Sequence, residues 1–306
     1  MRTHRGATLI VVALVALAAL ATAVGCLDAD RLIAVGRDGG GVAPGWVPFG
    51  APALVAGLRG DDDDVQDPTL TGDELEIYFA SSTGGVNDIW SSHRTSATAA
   101  WEPSALVTEL ASTGNDEDPD LSEDGLTIHF ASDRAGDGMR LYVSRRAARD
   151  QPWVAPQLEG DLGASLLDRA PSVDAAQLHM VFASQRGTAT VAHLFSATRA
   201  EQAAAWQDII ELTAINSAWQ DVDPALFAAG RGLVFISRRT GQGRTADLYR
   251  TQRADAGTPF EVIPVSIDEL NTADSSEGDP WLSEDGRHIV FASDRSGHNR
   301  IYEARR

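Results

Sequence analysis

Four aspartates stand directly before a proline at regular distances: Asp67-Pro68, Asp118-Pro119, Asp223-Pro224 and Asp279-Pro280, with Ala170-Pro171 completing a series of five. Carboxylates repeated at one position can gather around an axis. They then repel one another, raise each other's pKa, or attract a cation or a basic partner. Alternatively, each bonds the backbone of the turn that its own Asp-Pro pair begins. One carboxylate can do both. A further carboxylate lies upstream in every copy, at Asp64, Asp116, Asp168, Asp221 and Glu277. An arginine recurs at Arg134, Arg186, Arg239 and Arg295, with Thr83 in its place in the first copy, and Asp133 and Asp294 stand beside two of them. The planar guanidinium fork suits an inter-unit bridge to a carboxylate. The rival reading is an arginine ring that reads a carboxylate or a sugar.

The elements that must position these residues are written in the same repeat. Eleven residues after each proline comes Phe79, Phe130, Phe182, Phe235 or Phe291, followed by Ala-Ser in four copies and Ile-Ser in one. That interval holds a short strand, a tight turn such as Glu284-Asp285-Gly286, and a second strand apolar on both faces. Asp and Gly tolerate the positive φ of such a turn, and a strand apolar on both faces is buried on both. A third strand carries Trp90, Tyr142, Phe195, Tyr249 or Tyr302. A fourth element starts at Phe49, Trp101, Trp153, Trp206 or Phe260. Four strands in a period of 51 to 56 residues suit a propeller blade.

The expected fold is therefore all-β, a five-bladed β-propeller of four-stranded antiparallel blades over residues 49 to 306. Phe49 to Leu58 has fourth-strand character ahead of any first strand, while the chain ends on a third strand at Ile301-Tyr302. The N-terminal strand is thus expected to complete the last blade and cover its edge. The first strand of each blade should line a central channel and place the aspartates around one mouth.

The text D-P-x-L-S-x-D-G-x-x-I-x-F-A-S-D-R followed by I-Y resembles the WD-repeat-like propeller repeat of the TolB family of periplasmic proteins. Residues 118 to 134 and 279 to 295 match almost letter for letter. The first copy has Asp73-Glu74 at the turn, and the third and fourth have Ala176-Gln177 and Ala229-Gly230. The resemblance covers about residues 49 to 306. It implies a propeller serving envelope integrity by docking on a peptidoglycan-associated lipoprotein. TolB propellers typically have six blades, whereas this sequence has text for five.

Met1 to Cys26 reads as an export signal, with a basic head at Arg2, His4 and Arg5, an apolar run from Leu9 to Val24, and small residues before Cys26. Cys26 is the only cysteine and stands where a lipobox places its acylated thiol, with Ala23 in the position usually held by leucine. A plain signal with a chance cysteine and an uncleaved anchor are the alternatives. Residues 27 to 48, with Gly39-Gly40-Gly41, read as a flexible tether. A single cysteine excludes an internal disulfide. The formal net charge of −19, with no lysine, argues against nucleic acid and anionic lipid as partners. Asp61 to Asp64 lacks the ligand spacing and glycine of a calcium loop and reads as a solvated loop.

Catalysis finds no motif. The histidines His93, His129, His179, His193, His288 and His298 show no metal spacing, and no nucleophile elbow is present. The expected function is that of an envelope-anchored binding scaffold, not an enzyme, that docks a protein or glycan. Asp67, Asp118, Asp223, Asp279 and Trp281 are its candidate contacts, or a cation ring. Trp46 and Trp219 also stand outside the repeat. No cofactor is expected; a structural calcium is the one ion in question. The alternative function is a polysaccharide hydrolase or lyase using channel carboxylates.

Overall fold

A computed structural model of the chain describes residues 46–59, 63–83, 85–160, 162, 167–187, 191–241 and 245–306. Cys26, the expected signal, most of the expected tether, and Asp61 and Asp62 lie outside the described residues. The described residues between 48 and 306 form twenty strands in five four-stranded antiparallel sheets.

The first blade is β2 (Val65–Leu70), β3 (Glu76–Thr83), β4 (Val86–His93) and β5 (Ala105–Leu106). The second is β6 (Asp116–Leu121), β7 (Thr127–Ser132), β8 (Arg140–Arg145) and β9 (Gln157–Leu158). The third is β10 (Asp168–Val173), β11 (His179–Ser184), β12 (His193–Thr198) and β13 (Gln207–Glu211). The fourth is β14 (Asp221–Phe227), β15 (Gly232–Ser237), β16 (Asp247–Gln252) and β17 (Val265–Ser266). The fifth is β18 (Glu277–Leu282), β19 (His288–Ser293) and β20 (Arg300–Arg305), completed by β1 (Ala53–Leu54) from the other end of the chain. The innermost strands β2, β6, β10, β14 and β18 neighbour one another in a closed ring.

The second strand of each blade is its core, because a strand between two blades has no solvent face. Phe79, Phe130, Phe182, Phe235 and Phe291 are all fully buried. Burying such a ring contributes roughly 2–3 kcal/mol. Four of them lie against the aromatic of the third strand, with Phe130–Tyr142, Phe182–Phe195, Phe235–Tyr249 and Phe291–Tyr302 centroids 6.0 to 6.4 Å apart. The turn before this strand takes positive φ at Gly125, Gly230 and Gly286, while Glu74 and Gln177 hold that conformation in the other two blades.

Closure follows the expected route. β1 pairs antiparallel with β20, Ala53 opposite Glu303 and Leu54 opposite Tyr302. The Gly50 N–H donates to the Arg305 carbonyl, just as Glu102 donates to His93 and Val154 to Arg145 within continuous blades. The innermost strands differ from expectation in where they begin. They start three residues before the proline rather than at it, so the Asp-Pro pair, Ala-Pro in the third blade, lies inside the strand.

Candidate functional site

Each Asp-Pro pair is a bulge in an innermost strand. Pairing jumps from Gln66 to Thr69, Glu117 to Asp120, Arg169 to Ser172, Val222 to Ala225 and Gly278 to Trp281. Asp67, Asp118, Asp223 and Asp279 take φ of 49 to 55°, and Ala170 takes 47°. Aspartate tolerates this left-handed backbone, and proline, lacking an N–H, fits where the ladder is interrupted.

The carboxylates run around the ring and do not cap their own turns. Asp67 Oδ2 accepts the Asp118 N–H (3.1 Å), Asp118 Oδ2 accepts the Ala170 N–H (2.9 Å), and Asp279 Oδ2 accepts the Asp67 N–H (3.3 Å). Burial first, and then the charge of a neighbouring ring carboxylate, hold Asp67, Asp223 and Asp279 well above the usual carboxylate range. The space these pairs enclose is about 40 Å³, too narrow for a sugar ring. A second circle of bonds lies just beyond the prolines. Thr69 Oγ1 accepts the Leu121 N–H (3.0 Å), Asp120 Oδ2 the Val173 N–H (3.0 Å) and Ser172 Oγ the Leu226 N–H (2.9 Å). Ala225 and Trp281 occupy that place in the last two blades.

Arg134, Arg186, Arg239 and Arg295 are built alike. Each Nε donates to the serine hydroxyl two residues earlier, at 2.8 to 3.0 Å. Each terminal nitrogen reaches Asp116, Asp168, Asp221 or Glu277, at 2.6 to 3.0 Å. A further bond runs to the carbonyl of Leu110, Leu162, Ile215 or Leu270, on the segment arriving from the preceding blade. The carboxylate thus belongs to the arginine's own blade, and the contact across blades is made to backbone. Asp133 and Asp294, adjacent in sequence, instead accept the N–H groups of Asn115 and Ser276.

A second arginine series escaped the sequence reading. Arg94, Arg146, Arg199 and Arg253 lie over Trp101, Trp153, Trp206 and Phe260 at 4.1 to 4.6 Å from the ring centroids. Arg306 lies over Phe49 at 4.6 Å, so the same contact joins the two ends of the propeller. The signal was present, since each of the first four aromatics follows its arginine by seven residues.

The two ends of the channel differ. At the strand-start end, the position before each ring aspartate varies: Gln66, Glu117, Arg169, Val222 and Gly278. Arg169 approaches Asp118 with Nε 3.5 Å from Oδ2, and its side chain is 41% exposed. Asp118 foremost, with Asp223, Glu117 and Asp67 behind it, keeps this guanidinium charged against desolvation. Glu117 Oε2 accepts from Asn87 (3.0 Å), and burial with the Asp118 charge raises its pKa.

Beyond the prolines, at the strand-end side, lies a cavity of about 90 Å³ lined by Asp120, His129, Ser172, Trp281 and Glu284, among others. Asp120 and His129 are directly opposed on β6 and β7. Burial pushes Asp120 up to about 8, with the Asp174 charge adding and the Val173 N–H opposing. His129 is 2% exposed, its Nδ1 lies 3.0 Å from Glu159 Oε1, and neither of its ring nitrogens makes a hydrogen bond. Burial works against Glu159, yet His129 beside it, with Arg199 and Arg145 farther off, holds its pKa below the usual range. Trp281 is half-buried and stands edge-on to His288, with centroids 5.8 Å apart at 80°. It lines this cavity rather than the aspartate mouth. Trp219 is half-buried in a loop, and its backbone bonds Ser217. Among the described residues no group of three or more His, Cys, Asp or Glu is placed to hold a metal ion.

No protein-family model matches the sequence, and no curated protein matches it. Solved structures do match in fold. TolB from Acinetobacter baumannii is 16% identical with a TM-score of 0.50, covering 79% of this chain and 54% of TolB, so the chain spans about half of TolB's length. The catalytic domain of the Coprinopsis cinerea GH62 α-L-arabinofuranosidase is 9% identical, with a TM-score of 0.56 and coverage of 84% and 96%. The Lactobacillus brevis α-L-arabinofuranosidase is 17% identical, with a TM-score of 0.55 and coverage of 83% and 94%. At these identities the likeness is one of fold, and the chain is a five-bladed β-propeller similar in fold both to TolB and to these glycoside hydrolases.

Proposed function

We propose that the chain is an exported binding propeller, lipid-anchored through Cys26, that docks a protein of the cell envelope at the strand-start mouth of its channel. One observation carries this reading. The repeated aspartates are committed to closing the ring, whereas the positions directly before them carry a different residue in each blade. A repeat keeps what its fold needs, so a position free to vary among blades is available for recognition. The strongly acidic chain favours a partner with a basic contact surface and a salt-dependent association rate.

The test is capture of envelope proteins on the full-length chain beside an Arg169→Ala/Glu117→Gln variant. A partner held by the parent, released by salt and lost by the variant supports the reading. A partner held equally by both moves docking off this mouth, and no partner at all ends the scaffold reading.

A second reading, hydrolysis of a glycan, is favoured by Asp120. A general acid needs a pKa near the working pH, and Asp120 is held at about 8 at the edge of an open cavity. Release of nitrophenol from a nitrophenyl arabinofuranoside, and its loss in Asp120→Asn, would support that reading; no release by the parent would oppose it.

A further inference from the structure

The cavity beyond the prolines departs from the repeat where the fold gives no reason to depart. Opposite the residue that follows each proline stand Tyr78, His129, Val181, Val234 and Val290. Three blades fill that place with valine. Blade two spends a buried histidine there, opposite a half-buried aspartate, and leaves the histidine's ring nitrogens without a hydrogen-bond partner. An unsatisfied buried nitrogen costs about 1–3 kcal/mol, and valine would avoid that cost.

The chemistry of the wall names a complement. His129 Nδ1 lies 3.0 Å from Glu159 Oε1, and the unpartnered Nε2 can accept or donate according to the tautomer. Asp120, on the same face, has its pKa pushed up to about 8 by burial, which favours an O–H that can donate. Ser172 accepts the Leu226 N–H, which leaves its hydroxyl hydrogen to donate. Trp281 supplies an aromatic wall and the five prolines an apolar floor. A group that both donates and accepts at adjacent atoms, and carries C–H faces between them, is a polyol ring. The rim carries Glu123, Asp174 and Glu284, which repel an anionic ligand. The size also bears on the ligand: about 90 Å³ takes the end of a sugar chain and no more. The cavity shares Gly72, Ser122, Glu123, Ala175 and Gln177 with a neighbouring surface groove of about 480 Å³, along which the rest of a chain could lie.

We infer that the cavity lined by Asp120, His129, Ser172 and Trp281 binds the neutral, hydroxyl-rich end of a glycan, with the remainder of the chain in the adjoining groove. The inference rests on the cavity of the second reading but not on cleavage: binding without product release keeps the inference and ends the hydrolase.

The experiment is titration of the full-length chain with xylotriose, cellotriose and maltotriose, followed by tryptophan fluorescence and calorimetry, with trigalacturonic acid as the anionic control. Saturable binding of at least one neutral trisaccharide and none of the acid is expected. His129→Val places in blade two the residue that blades three to five carry, and should bind about tenfold more weakly. Asp120→Asn keeps a neutral hydrogen-bonding group and the acceptor for Val173, and should retain binding, whereas Asp120→Leu should lose it. The inference is overturned if none of the three neutral sugars binds, if the acid binds as well as they do, or if His129→Val binds unchanged.

Discussion

Asp118 shows what a single residue contributes to this fold. Its carboxylate accepts the N–H of Ala170, 52 residues away, and meets the guanidinium of Arg169. Asp118→Ala orphans that buried N–H and should cost about 1–3 kcal/mol in urea unfolding. Asp118→Asn retains an acceptor and should cost clearly less; equal losses would mean that the bond to Ala170 is not what holds the residue. Ala170 is the converse. It holds φ of 47° without a side chain suited to it and offers the next blade no acceptor. Ala170→Asn should therefore stabilise by about 0.5–1 kcal/mol, read as a higher urea midpoint at unchanged slope. The sequence placed these aspartates correctly as a series. It could not show the direction of their bonds, because a local turn and a neighbouring blade both satisfy Asp before Pro. The bulge that turns the carboxylate sideways leaves no mark in the residue types.

At the scale of the element, the repeat was legible wherever one interval stays fixed. The strand–turn–strand unit with its buried phenylalanine keeps eleven residues in all five copies, and the five sheets follow from it. The contact of Arg94, Arg146, Arg199 and Arg253 with an aromatic is also fixed in spacing, but each arginine drifts relative to the phenylalanine, so alignment on the core hides it. Asp120 and His129 were unreadable for another reason: they break the repeat, and only the register of β6 against β7 brings them together. The seam between the first and last blades adds a pH dependence. His288 lies between Glu74 (3.0 Å) and Glu303 (2.8 Å), with Arg305, Arg94 and Trp281 also around it. Burial opposes its charge, but these two carboxylates raise its pKa above 6.5. Burial would raise Glu74, yet hydrogen bonds from His288 and Arg305 bring it down to about 2. A raised histidine stabilises fully below 6.5 and loses that contribution as pH rises through its folded value. A lowered glutamate stabilises fully above 4.5 and loses it as pH falls toward about 2. The seam should be firmest between about pH 4.5 and 6.5. Melting temperature against pH should fall on both sides, and Glu74→Gln should flatten the curve and remove about 1–2 kcal/mol after solvent screening. A parent curve flat from pH 5 to 8 would contradict this.

The last blade of the propeller is complete only because the first and last strands of residues 48–306 meet. Within the other blades the aromatic under the outer arginine is tied in place by chain continuity on both sides. In the fifth, Phe49 arrives from the opposite terminus to lie under Arg306, and Gly50 and Val55 donate to the Arg305 and Ile301 carbonyls. Phe49→Ala and Phe260→Ala therefore remove the same kind of contact from different topological settings. Each loses a buried ring, and each should cost about 3–5 kcal/mol. Only Phe49→Ala also frees β1 from β20, and β20 would then present an unpaired edge of six residues, Arg300–Arg305. An exposed edge of that length is a template for pairing with a second chain. Both variants should melt lower than the parent, while only Phe49→Ala should gain mass with concentration in light scattering below its melting temperature. If Phe260→Ala associates equally, the association comes from general destabilisation and not from an opened ring. If neither associates, β20 is protected by something other than the N-terminal strand, and the closure would have to be sought in the Glu74–His288 contacts between the first and last blades.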